Sequence, residues 1–224
     1  MKILLIGNGA RENALAWKIF NSPSFKSDNS ILYAAPGNPG INKFATPVNI
    51  HSTDIKGLKE FAGKEKIDIT VVGPEIPLSL GIVDEFEKEG LKIFGPRKAA
   101  AEIETSKVFS KDLMQKYGIP TAQYKVFTTE NLSELSSFIA KINFPVVIKA
   151  DGLAAGKGVI ICNDSEEVNK CVKDLTENKI FGESGLSFVV EQFLTGNEVS
   201  LFVITDGENY TILPSAQYYK RIFD

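Results

Sequence analysis

The apolar positions of the chain fall into short blocks whose period changes from segment to segment. Lys2–Ile6 (KILLI) is a compact apolar run of the buried-strand type, and Gly7-Asn8-Gly9 turns it into a helix from about Arg11 to Asn21 that ends at Pro23. Ile31–Ala35 predicts a second strand, stopped by Pro36-Gly37-Asn38-Pro39-Gly40. A helix near Asp54–Lys64 precedes the strand Asp68–Val72, which Gly73-Pro74-Glu75 breaks before a helix that continues to about Glu89. Leu91–Phe94 is a fourth strand, closed by Gly95-Pro96. Strands that alternate with helices predict parallel pairing in a doubly wound sheet. Ligands of such sheets lie outside the carboxyl ends of the strands, where the Gly- and Pro-rich loops of this segment fall.

The pattern changes after Gly95-Pro96. Ala99–Tyr117 reads as helical, and Gly118-Ile119-Pro120-Thr121 as a hinge-like break. Tyr124–Phe127, Val146–Lys149, Val159–Cys162 and Phe188–Glu191 then read as strands, with helices near Leu132–Ile142 and Glu166–Asn178. A glycine-rich loop, Gly152–Gly158, joins two of these strands, and Glu198–Thr205 with Tyr210–Pro214 predicts a hairpin around Asp206-Gly207.

Composition narrows the function classes. With 43% hydrophobic and 24% charged residues, the 224-residue chain is expected to bury an ordinary core. A net charge of -3 offers no basic surplus for nucleic acid or an anionic membrane, so neither is expected as a partner. No apolar run approaches the roughly 20 residues of a membrane span, and Lys2–Ile6 is too short for a secretory signal. The two cysteines, Cys162 and Cys171, lack a CxxC partner or a nearby histidine; no zinc site is readable, and a reduced, cytoplasmic chain is expected.

Three segments carry candidate chemistry. In Ile6-Gly7-Asn8-Gly9-Ala10-Arg11-Glu12, glycines after a strand can bring backbone amides to an anion at a helix N-terminus. Glu12 stands where the dinucleotide fingerprint has its third glycine, and Ala34-Ala35-Pro36 ends the second strand without the acidic residue that NAD binding requires. A tight strand–helix turn explains the same residues. In Lys149-Ala150-Asp151-Gly152-Leu153-Ala154-Ala155-Gly156-Lys157-Gly158-Val159, the glycine spacing and the missing Ser/Thr exclude a Walker A loop. Mobile glycine backbone with Lys157, and with Lys149 as a second cation, still suits a triphosphate; a hairpin loop with a solvated lysine is the plainer alternative. In Glu191-Gln192-Phe193-Leu194-Thr195-Gly196-Asn197-Glu198, a strand running into a linker can offer adenine backbone hydrogen bonds and an apolar wall, with Glu198 accepting from ribose hydroxyls. A simple edge strand and turn is the commoner explanation of that pattern.

Together these segments resemble the ATP-grasp superfamily: Ser106-Lys107 before a helix, the Lys149 strand, the Gly152–Gly158 loop and the Glu191–Glu198 linker follow in order. Gly7–Trp17, Pro36–Gly40, Val72–Leu78, Phe94–Pro96 and Lys149–Val159 resemble more specifically the glycinamide ribonucleotide synthetases. The resemblance covers essentially the whole chain. Three positions depart from the family pattern: Ala10 stands for Gly, Asn13 for His, and Tyr218 for an Asp.

The resemblance implies an α/β fold, with a Rossmann-like doubly wound parallel sheet over residues 1–103 and part of an ATP-grasp domain over 104–224. Within the latter, 122–189 would form a small ATP-lid subdomain, and 104–121 with 190–224 part of a larger one. It implies ligation of glycine to 5-phosphoribosylamine, driven by ATP with Mg2+ or Mn2+; a monomer is expected, with an oligomer as the alternative. Lys107, Lys149, Gly156, Lys157 and Gly158 would hold the phosphates; Glu191, Phe193 and Leu194 would flank adenine, and Glu198 the ribose. Gly7, Asn8, Gly9 and Arg11, with Gly37, Asn38 and Gly40, would cradle the phosphoribosyl group, and Glu75 would accept from its hydroxyls. Lys220 and Arg221 would approach the transferred phosphoryl group. The metal ligands would lie beyond Asp224, so the 224 residues alone are expected to be inactive. A different ATP-grasp enzyme of purine synthesis and a non-catalytic nucleotide-binding module remain the rival readings.

Overall fold

A computed structural model describes residues 1–26, 29–152 and 158–217, without the side chains of 183 and 184. The first sheet has five parallel strands in the order β3-β2-β1-β4-β5: β1 (Lys2–Gly7), β2 (Ile31–Pro36), β3 (Thr46–Pro47), β4 (Ile69–Val72) and β5 (Ile93–Phe94). β1 lies between β2 and β4, so the chain winds out to both sides of it and leaves a crevice at its carboxyl end. Its residues Leu4, Leu5 and Ile6 are fully buried because helices cover both faces of a parallel sheet. Helix α1 (Ala10–Phe20) packs its Ala16 with Leu5 and Leu32, while α3 (Ile55–Glu65) and α5 (Ile82–Lys88) bring Leu58, Ala62, Ile82 and Phe86 to Leu4 and Ile6.

Helices α1 and α3 have the lengths expected of them, and the third expected helix of this half does not. Pro23 does end α1, but it also starts the one-turn helix α2 (Pro23–Lys26), since its fixed φ suits a first helical position. The helix expected from Glu75 to Glu89 is two, α4 (Glu75–Ser79) and α5, because Gly81 adopts a left-handed φ of +86°. The fourth strand contracts to Ile93–Phe94, and β3 carries no apolar alternation to announce it.

The helix expected over Ala99–Tyr117 is also two, α6 (Lys98–Thr105) and α7 (Lys107–Lys116). Ser106 is extended between them, and its Oγ accepts from the Phe109 amide at 3.0 Å, capping α7. The second sheet is antiparallel in the order β6-β9-β7-β8: β6 (Tyr124–Thr128), β9 (Ser187–Gln192), β7 (Val146–Ala150) and β8 (Val159–Cys162). Helix α8 (Leu135–Ile142), entered through a 3-10 turn at Leu132–Glu134, and α9 (Ser165–Thr176) supply Ile139, Ile142, Val168 and Leu175 to the core over Phe127, Val146 and Phe188. Cys162 and Cys171 belong to that core; burial pushes both thiols up, Cys171 to about 12, so they behave as packed apolar groups.

Residues 199–217 form two small ribbons. β10 (Val199–Ser200) pairs with β13 (Ala216–Gln217), and β11 (Val203–Thr205) pairs with β12 (Tyr210–Ile212) in the expected hairpin, Val203 opposite Ile212 and Thr205 opposite Tyr210. Apolar Leu201, Val203, Ile204, Tyr210 and Ile212 are all exposed.

Candidate functional site

The register of the second sheet assembles a charged cleft. β9 runs between β6 and β7, with Glu191 beside Tyr124 on one side and Val147 on the other. Glu191 is 5% exposed, yet its carboxylate is doubly paired. One oxygen meets Lys149 Nζ from β7; the other lies 2.5 Å from Lys111 Nζ, delivered by α7. Lys111 is itself buried, donates to Thr121 Oγ1 at 2.6 Å and stands 5.2 Å from the centre of the Tyr124 ring. A carboxylate taken this far from water is tolerated because both oxygens have cationic partners; removing one partner of such a pair typically costs about 3–5 kcal/mol.

Lys107, at the first turn of α7, donates to the Gly152 carbonyl at 2.6 Å. Asp151 fastens the same junction, accepting from Ser106 Oγ at 3.1 Å and from the Val108 amide at 3.2 Å. The cleft between α7, β7 and β9 has a volume of about 520 Å³ and is lined by Lys107, Lys111, Lys149, Glu191, Met114 and Leu194 among others. Its polar wall is cationic and its remainder apolar, the composition expected of a site for a flat heterocycle with a polyphosphate. A larger hollow of about 910 Å³ between α3 and α5 offers no such chemistry, since its Lys59 is already paired with Glu85 and Glu89.

The crevice of the first sheet is built differently. Gly7, at the end of β1, has φ +127°, and a Cβ there would lie 2.5 Å from Glu12 Cγ and 2.9 Å from Pro74 Cδ. A Cβ on Gly73 would lie 2.3 Å from Glu12 Oε1. The glycines of two loops thus make the space into which Glu12 folds; it is 3% exposed, and its Oε2 accepts from the Gly9 amide at 2.6 Å. Across the crevice, Asn38 Oδ1 accepts from the amides of Gly40 and Ile41 at 2.8 and 2.9 Å, and its Nδ2 donates to the Asn8 carbonyl at 2.8 Å. Arg11 and Glu75 face each other over the opening at 3.0 Å. The Glu75 carboxyl is held below its ordinary value by its own backbone amide first and then by the Arg11 guanidinium, with partial burial opposing.

Comparison with known proteins decides what these two sites belong to. Residues 1–104 match the N domain of phosphoribosylglycinamide synthetase, and residues 105–224 match its ATP-grasp (A) domain. The chain belongs to the phosphoribosylglycinamide synthetase family. Within the family it is similar to the phosphoribosylamine–glycine ligase of Caldanaerobacter subterraneus, 47% identical over 224 residues that make up all of this chain and 52% of that protein. It is also similar to the crystal structure of the phosphoribosylamine–glycine ligase of Thermotoga maritima, with a TM-score of 0.74 and 32% identity over 96% of this chain and 49% of that one. The chain therefore spans about half the length of the relatives it matches. An N5-carboxyaminoimidazole ribonucleotide synthetase solved as its ADP complex shares the fold, with a TM-score of 0.73 at 18% identity over 99% of this chain and 55% of that one.

In this chain the structure brings together Lys107, Lys149, Glu191 and Leu194 around one cleft, and Gly7, Asn8, Gly9, Arg11, Gly37, Asn38, Gly40 and Glu75 around one crevice. Gly158 sits at the mouth of the β7–β8 hairpin, where its carbonyl accepts from the Ala150 amide. Phe193 is half-buried and Glu198 exposed, and neither lines the cleft. Gly156, Lys157, Lys220 and Arg221 lie outside the described residues. Sequence reasoning passed over Lys111, Thr121, Asp151 and the buried role of Glu12. Only the last left a signal, an acid where a dinucleotide loop has glycine.

Proposed function

We propose that this chain supplies the substrate crevice and the nucleotide cleft of a phosphoribosylamine–glycine ligase, divided near residue 103. The observation that carries the proposal is the pairing of Lys149 and Lys111 with Glu191 in a cleft that Lys107 also lines, a cationic pocket beside a β hairpin in a chain of this family. ATP lies with its base against Glu191 and Leu194 and its phosphates toward Lys149, Lys107 and the loop that carries Gly156, Lys157 and Gly158. The glycine carboxylate attacks the γ-phosphorus, ADP leaves, and glycyl phosphate forms. The amine of 5-phosphoribosylamine then attacks the acyl carbon; phosphate leaves, a proton is lost from nitrogen, and glycinamide ribonucleotide is released. Lys220 and Arg221 neutralise the transferred group. Such chemistry rests on positioning and charge rather than on a protein nucleophile.

Magnesium, with manganese as a substitute, accompanies ATP in this proposal. Among the described residues no group of three or more His, Cys, Asp or Glu converges on a metal site. No described helix is long and apolar enough to cross a membrane. The test is ADP release by a protein of the relatives' full length, supplied with ATP and phosphoribosylamine. Release that depends on glycine supports the assignment; equal release with and without glycine overturns it.

A further inference from the structure

Glu191 has two cationic partners, and they are held differently. Lys149 stands at the rim of the cleft at the end of β7, with a 29% exposed side chain, and is the partner placed to turn toward a polyphosphate. Lys111 is held from three sides: by Glu191 Oε2 at 2.5 Å, by Thr121 Oγ1 at 2.6 Å and by the Tyr124 ring. Its side chain is only 10% exposed, and it leaves α7 on the side that faces β9. When Lys149 moves to phosphate, Lys111 is therefore the charge that remains beside Glu191.

We propose that Lys111 is a positioning residue for the nucleotide base: it holds the Glu191 carboxylate in place, so that the cleft selects a purine with an exocyclic amino group over one with a carbonyl in the same place. The proposal rests on the reading of this cleft as the adenine site. An ionised carboxylate accepts hydrogen bonds and donates none, so it rewards an amino group and repels a carbonyl oxygen. A carboxylate left in the same buried place without Lys111 loses its counter-charge once Lys149 departs and is no longer held against the base, and the discrimination goes with it. Thr121 and Tyr124 serve the same end, since they hold the ammonium group in place between β6 and α7.

The experiment uses a protein of the relatives' full length and measures Kd for ATP and for GTP by titration calorimetry, alongside KM and kcat for ATP. Lys111→Met is expected to weaken ATP about tenfold while GTP changes little, so that the ATP preference falls about tenfold. The kinetic loss should fall mainly on KM for ATP. Lys111→Arg, which keeps the charge, should recover part of the preference. A merely structural lysine would weaken both nucleotides in parallel, and an unchanged ATP-to-GTP ratio overturns the proposal. Should Lys111→Met fail to fold, Lys111→Gln is read by the same ratio with the same two outcomes. Glu191→Gln separates the failures. If it leaves the ratio at the wild-type value, the base is not read at Glu191 and the adenine reading falls with the proposal. If it erodes the ratio while the Lys111 variants do not, the role of Lys111 alone is wrong.

Discussion

At the carboxyl ends of β1 and β2, backbone amides turn inward, onto Glu12 and Asn38. In the cleft beside β7 and β9, two lysines meet on one carboxylate and a third caps a carbonyl. The cleft lining carries Lys107, Lys111 and Lys149 against Glu104 and Glu191, three positive charges minus two negative. The crevice has Arg11 against Glu12 and Glu75, one positive minus two negative. The cleft is thus matched to a polyanion. The crevice is a rigid mould whose one exposed cation is already engaged. Arg11 and Glu75 form a solvent-facing pair of the sort worth about 0–1 kcal/mol, so it can be parted at little cost.

Substitutions can break this contrast. The largest effect is expected in the cleft: Lys149→Met should lower kcat/KM for ATP about 100-fold in the full-length protein, since a cation placed on a polyphosphate in a partly desolvated cleft is worth several kcal/mol. An effect below threefold would show that the polyanion lies elsewhere. Next comes the mould. Gly73→Ala sets a methyl group 2.3 Å from Glu12 Oε1 and should cost about 1–3 kcal/mol of stability in denaturant unfolding. Adding Glu12→Ala should restore part of that loss, because the two side chains then no longer compete for one space. Strict additivity would mean that Glu12 is not what the glycines accommodate.

A smaller effect is expected at the rim. Glu75→Gln should raise KM for phosphoribosylamine about tenfold with KM for ATP near normal. The smallest is its pH signature. The folded carboxyl titrates below its ordinary value, so its contribution to stability is present above that value and is lost as pH falls through the lower, folded one. The difference in Tm between wild type and Glu75→Gln should stay level from about pH 5 upward and shrink below it. A difference that grows on acidification would contradict the Arg11–Glu75 geometry.

Much of this was legible from residue order alone, because local pattern and local structure agree. Lys2–Ile6, Val146–Lys149 and the Asp206-Gly207 hairpin are continuous in sequence, and each forms where the pattern puts it. Illegible features depend on contacts between distant residues. Lys111 and Glu191 lie eighty residues apart and meet only because α7 packs on β9. The break at Ser106 replaces one long helix because a serine cap competes with an otherwise continuous helical period. Burial was the least legible property. β9 (SFVVEQ) is buried through its centre, while the comparably apolar β11 and β12 are exposed throughout; among the described residues β9 has a strand on either side and helices over it, whereas β11 and β12 pair only with each other.

The division of labour between the two sites is tested most directly by hydrogen exchange in the full-length protein, with each ligand added alone. ATP should slow exchange in α7 and at Gln192–Leu194 and leave Gly7–Arg11 and Gly37–Ile41 unchanged. Glycinamide ribonucleotide should do the reverse. Protection of Gly7–Arg11 by ATP alone, with α7 and Gln192–Leu194 unaffected, would contradict the assignment of both sites.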